Sequence, residues 1–187
     1  MDSNNKNINF SKLFEHHYNV ELLYCPTAAS AVINLQSKQL KPPTKILIHI
    51  GTNDLDVMSP VAAAKNILDL AENLEREYKC RVVISLALIR GDHLNNKVRA
   101  FNQLIKDTRY PHINHENITS EYLHDSKHLD RYTKPGQHLS GSQVFAGDIY
   151  QAITGRRPAQ ETLRISKQWP RKRTSHRNSI PMLESMV

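Results

Sequence analysis

Lys45-Ile46-Leu47-Ile48-His49-Ile50-Gly51-Thr52-Asn53-Asp54 sets a short apolar run directly against a polar turn. Such a run, bounded by turn formers, reads as a buried strand, and open α/β sheets bind their ligands beyond the C-terminal ends of their strands. Glycine after the strand opens backbone angles closed to other residues, and the Asn53 amide is an uncharged donor suited to a developing oxyanion. The same Gly-x-Asn-Asp turn has a plainer reading, because Asn and Asp side chains commonly bond their own backbone.

Two further blocks carry chemistry. In Asp125-Ser126-Lys127-His128 the three-residue separation lets the carboxylate hold one ring nitrogen while the other faces a nucleophile. Asp2-Ser3-Asn4 places a serine at the start of the chain. The plain alternative for His128 is a solvated loop histidine, since the chain has ten histidines, with His112, His115, His124 and His138 close by. His138 stands three residues after Pro135, which cannot orient an imidazole, so the base is assigned to His128. The clustering also raises a metal reading. No His-x-x-x-His on a clear helix and no cysteine pair at ligand spacing supports zinc, so neither metal nor cofactor is expected.

In the order and spacing of these blocks, over about residues 1–155, the chain resembles the SGNH, or GDSL-type, hydrolase superfamily of esterases, lipases and acetylhydrolases. The resemblance implies Ser3 as nucleophile, His128 as general base and Asp125 as its orienting carboxylate. It assigns Gly51, Asn53 and Asp54 to the oxyanion and substrate-binding block, and implies a small ester substrate. Ser85 to Asp92 and Asn95 to Val98 further resemble divergent animal members, including domains carried by retroelements. Met1 stands where the family has a glycine, and the strand that delivers the nucleophile has no counterpart. The family's second block falls on Cys25-Pro26-Thr27-Ala28-Ala29-Ser30, which lacks glycine; a backbone N–H from Thr27 or Ala28 is the expected substitute. The superfamily includes RNA-binding members without a working triad, which opens a second expectation: a binding module on the same fold.

Around the blocks the pattern alternates. Val20–Tyr24 is a strand candidate, followed by a helix from Ala28 to Gln36 and the 45–50 strand. Ser59 caps a helix with Pro60 at its first position, and Val61, Ala64, Ile67, Leu68, Ala71 and Leu74 mark its inner face. Arg81–Leu86 is the next strand; Asn95 to Thr108 is a helix with Val98, Phe101, Leu104 and Ile105 inward; His112–Asn114 is a short strand; Ser142 to Ile153 is the last helix. Strand and helix in repeated alternation predict a three-layer, flavodoxin-like parallel α/β sheet with helices on both faces, and the resemblance implies that its first strand is missing.

Charge divides the chain. Residues 156–187 hold eight Lys or Arg against two Glu, so this stretch carries +6 of the net +7. A folded domain over 1–155 and a basic, disordered C-terminal tail over 156–187 are expected, and Trp169-Pro170-Arg171-Lys172-Arg173 could engage the phosphates of a nucleic acid or act as a localisation patch. A solvated tail without a specific role fits equally. Cys25 and Cys80 read as buried free thiols of a reducing compartment. No apolar run approaches the roughly 20 residues that span a bilayer and no signal peptide is visible, so an intracellular, cytoplasmic or nuclear, location is expected. Asn9 and Asn117 match glycosylation acceptors by chance on that reading.

Overall fold

The computed structural model describes residues 8–15, 17–38, 40–159 and 162–163. The expectations for Ser3 and for the basic tail beyond 163 lie outside these residues.

Three strands form one parallel sheet in the order β1 (Lys45–Ile48), β2 (Arg81–Ser85), β3 (His112–Ile113). Lys45 pairs with Arg81 through to Ile48 with Ile84, and Ile84 with His112 and Ser85 with Ile113. Parallel neighbours need long crossovers. Here α4 (Pro60–Tyr78) joins β1 to β2, and α5 (Asn95–Lys106) joins β2 to β3. The other α-helices among the described residues are α1 (Phe10–Leu13), α2 (Ala28–Ser37), α3 (Asp54–Val57) and α6 (Gly141–Thr154).

Side chains alternate across the sheet, so each strand serves two cores. Ile46, Ile48, Ile50, Val82, Ile84 and Leu86 face the layer of α2, α4 and α5. Leu47, Val83 and Ile113 face α1 and α6, where Phe145 and Ile149 are fully buried. Helices on both faces of a parallel sheet give the three-layer α/β architecture that the alternation predicts.

The helix starts follow local chemistry. Ser59 accepts from Ala62 N–H with Pro60 at the first helical position, and Thr27 and Ser30 form a reciprocal capping box at α2. The inner face of α4 is Ala63, Ala64, Ile67, Leu70, Ala71 and Leu74, whereas Val61 is 66% exposed. Ala64, Ile67, Ala71 and Leu74 are as expected, Leu68 lies at the margin of the stripe, and Ala63 and Leu70 complete it where Val61 faces solvent. In α5, Val98, Phe101 and Ile105 are buried and Leu104 flanks them at 36% exposure.

Val20–Tyr24 is not a strand. The segment joins no strand ladder; Val20 and Leu23 pack against the cores, while Leu22 and Tyr24 are each 44% exposed. Among the described residues β1 pairs with β2 alone. A groove of about 580 Å³ runs along its other edge, floored by Thr44–Ile50 and walled by Phe14 and Ile153 on one face and Leu35 and Leu74 on the other. Both cysteines are buried and unpaired with each other, as read from the sequence.

Candidate active site

Beyond β1 the chain turns through Gly51 at φ 116°, a left-handed angle that a side chain resists. A Cβ there would lie 2.9 Å from the Phe101 ring, so glycine is required twice over. Asn53 begins α3, and its Nδ2 donates to Pro26 O at 3.1 Å, using one of its two hydrogens. Asp54 turns inward and is 2% exposed; both carboxylate oxygens accept from Ala28 N–H at 3.3 Å. Burial raises the Asp54 carboxyl above its ordinary range, against the Ala28 bond that lowers it. Asn53 and Asp54 thus clasp the start of α2, and with it the Cys25–Ser30 block, to the turn that Gly51 makes after β1.

The two backbone donors expected from that block are already engaged. Thr27 N–H bonds Ser30 Oγ at 3.0 Å, and Ala28 N–H bonds Asp54. Local capping at the helix start takes the first and the buried carboxylate the second.

Asp125 and His128 sit on a tight loop closed by an antiparallel bridge between Leu123 and Leu129. Asp125 Oδ1 accepts from Lys127 N–H at 3.1 Å and His128 N–H at 2.7 Å, while Oδ2 accepts from His128 Nδ1 at 2.6 Å. Burial opposes ionisation of this carboxyl, yet the His128 ring and the two backbone donors outweigh it and hold it at about 2. With Nδ1 donating, the neutral ring keeps its lone pair on Nε2, the state a general base needs. His138, by contrast, is exposed and in a different turn.

Two ties anchor this loop to the sheet's C-terminal end. Ser126 takes φ 61°, and its carbonyl accepts from Gly91 N–H at 2.7 Å. Gly91 permits this approach, because a Cβ there would stand 2.9 Å from Ser126 Cβ. Lys127 Nζ lies 3.2 Å from Asp56 Oδ2, and Asp56 in turn meets the buried Arg90 guanidinium at 3.1 Å. Arg90 is clamped by Asp92, whose carboxyl it holds below the ordinary range. The His128 loop is therefore bound to α3, the helix that Asn53 opens.

The sequence reading missed a second polar constellation. His115 Nδ1 lies 2.9 Å from Asp148 Oδ2, His115 Nε2 lies 2.8 Å from Ser85 Oγ, and Ser85 Oγ lies 2.8 Å from His49 Nδ1. With Asp148 as acceptor, every proton runs one way, from His49 to Ser85 to His115 to Asp148. The connectivity is that of a Ser-His-Asp triad, but Ser85 is 1% exposed and His115 5%, under α6 and against Phe145. A hydroxyl so enclosed cannot meet an ester in solution; it braces the ends of the strands. The alternation of β2, which sends Ser85 to the same face as Val83, was the available signal. Its pairing with His115, 30 residues on, was not readable.

No family model matches the chain, and no curated protein matches it. Among solved structures it is similar to a member of the lipolytic protein G-D-S-L family from Veillonella parvula DSM 2008, with a TM-score of 0.60 at 16% identity over 80% of this chain and 88% of that one. The chain therefore shares the fold of that protein, a parallel sheet with helices on both faces. Among the described residues no helix is long and apolar enough to cross a membrane.

Proposed function

We propose that the chain is an SGNH-type serine hydrolase domain acting on a small carboxylic ester. The observation that carries this reading is the 2.6 Å contact between Asp125 Oδ2 and His128 Nδ1, on a loop tied to α3. Ser3 Oγ attacks the ester carbonyl while His128 Nε2 takes its proton; Asn53 Nδ2 and the Ser3 N–H receive the oxyanion; His128 then protonates the departing alcohol. Water, activated by His128, releases the acid and restores Ser3. Gly51 and Asp54 serve by holding Asn53 and the start of α2 in place.

A binding module on the same fold is the second reading, favoured by the engagement of both Thr27 N–H and Ala28 N–H elsewhere. An oxyanion pocket short of a donor loses about 10²–10³ in rate, so such a domain could retain the fold and lose turnover. The basic residues of 156–187 would then supply a handle for nucleic acid, from a cytoplasmic or nuclear setting.

Labelling with a fluorophosphonate separates the two. A hydrolase labels at Ser3, and Ser3→Ala and His128→Ala each abolish the signal. A protein that stays unlabelled, yet binds RNA in a manner that weakens with salt and disappears when 156–187 are removed, belongs to the second class.

A further inference from the structure

Histidine pairs four residues apart serve metals on helices because one turn stacks them; a hairpin can do the same, since its two arms face one another across about 5 Å. His124 and His128 have that spacing on opposite arms of the 123–129 loop, joined by the bond from His124 N–H to His128 O at 3.0 Å. Their rings stack with centroids 5.7 Å apart at 28°. Asp125 lies between them, its Oδ2 at 3.5 Å from His124 Nε2 and 2.6 Å from His128 Nδ1. One ligand atom from each of the three residues falls within 4.8 Å of the others.

We propose that His124, Asp125 and His128 form a binding site for one divalent transition cation of the zinc type. Two imidazoles and a carboxylate are a donor set that Zn²⁺ accepts, with a fourth position left to water. Tetrahedral bonds of about 2.0–2.2 Å place ligand atoms roughly 3.3–3.5 Å apart. The His124–Asp125 separation already meets this, and the other two distances need shifts on the order of 1 Å. Side chains that are 49%, 45% and 35% exposed can make such shifts by small rotations on an ordered backbone. Lys127, whose ammonium would repel a cation, is drawn away to Asp56 at 3.2 Å.

The site shares His128 with the proposed hydrolase, and this consequence alone rests on that reading. A metal on Nδ1 moves the ring proton to Nε2 and removes the lone pair that takes the serine proton. Metal binding and base catalysis at His128 are thus mutually exclusive.

The test is calorimetric titration of ZnCl₂ into the full chain stripped with EDTA, with the imidazole resonances followed by NMR. One equivalent should bind in the micromolar range or tighter and shift the His124 and His128 resonances. His124→Ala, which leaves the Asp125–His128 pair intact, should weaken binding at least tenfold; His128→Gln should do likewise, and His138→Ala should change nothing. Thermal melts of each variant establish that it is folded. Affinity unchanged in folded His124→Ala, or only weak uptake spread over several histidines, overturns the proposal. Because the isotherm needs no turnover, it stands or falls apart from the hydrolase reading, whose loss would show in labelling. If labelling occurs, Zn²⁺ should suppress it in the wild type and not in His124→Ala.

Discussion

Lys127 Nζ stands 3.2 Å from Asp56 Oδ2, across 71 residues of sequence, and couples the loop of the paired histidine to the helix that begins with Asn53. Both groups are partly exposed, so the pair adds at most about 1 kcal/mol to global stability. Its effect is local. Lys127→Ala should leave the urea midpoint almost unchanged while speeding amide exchange at Ser126 and His128 several-fold. Unchanged exchange there would mean that the Gly91–Ser126 bond and the Leu123–Leu129 bridge alone position the loop.

The Arg90 side chain is only 5% exposed and depends on its acidic partners. Removing the carboxylate that clamps it leaves the buried charge with Asp56 alone, so Asp92→Asn should cost about 1–3 kcal/mol at neutral pH. The sign with pH follows from the depressed Asp92 carboxyl. Its contribution is fully present above the unfolded value of about 3.9 and is lost as pH falls through the lower folded value. Denaturation of both proteins at several pH values should show their stability gap closing below about pH 4. A gap that persists or widens in acid would refute the assignment.

Asp54 is a brace with a charge that burial disfavours. Asp54→Ala deletes the acceptor for Ala28 N–H and should cost about 1–3 kcal/mol, whereas Asp54→Asn keeps an acceptor and should cost less than half as much. A raised carboxyl makes the wild type lose stability as pH rises past the unfolded value, and asparagine does not titrate. The two should therefore be compared at pH 4 and pH 7, with Asn faring relatively better at the higher pH.

Ser85→Ala should cost about 1–3 kcal/mol despite removing a single oxygen, because it strands His115 Nε2 in an apolar layer and breaks the run from His49 to Asp148. The thermal midpoint should fall by several degrees. No loss of stability would show that the chain of bonds is dispensable, and fluorophosphonate labelling that depends on Ser85 would make it a catalytic centre instead of a brace.

What the sequence by itself determined is local. The 45–54 run, the Ser59–Pro60 start, the apolar stripes of α4 and α5, and the Asp125–His128 spacing are short-range patterns, and periodicity, capping and turn chemistry read them correctly because those forces act within a few residues. In the resemblance, the Gly51–Asp54 block is of the same kind, since it follows β1 where the alternation places it. Val20–Tyr24 failed because a strand exists only in a ladder, and whether a neighbour offers its edge is not written in five residues.

Only the tertiary structure decided which polar groups meet. It committed Ala28 N–H to Asp54, tied Lys127 to Asp56, and joined Ser85 to two histidines 36 residues before and 30 after it. Each of these contacts depends on how β-strands register and helices dock, which packing of the two apolar layers settles. A hydrogen bond or a ligand set needs positions fixed to within about half an ångström. Sequence spacing fixes them only where the partners share one turn, as Asp125 and His128 do.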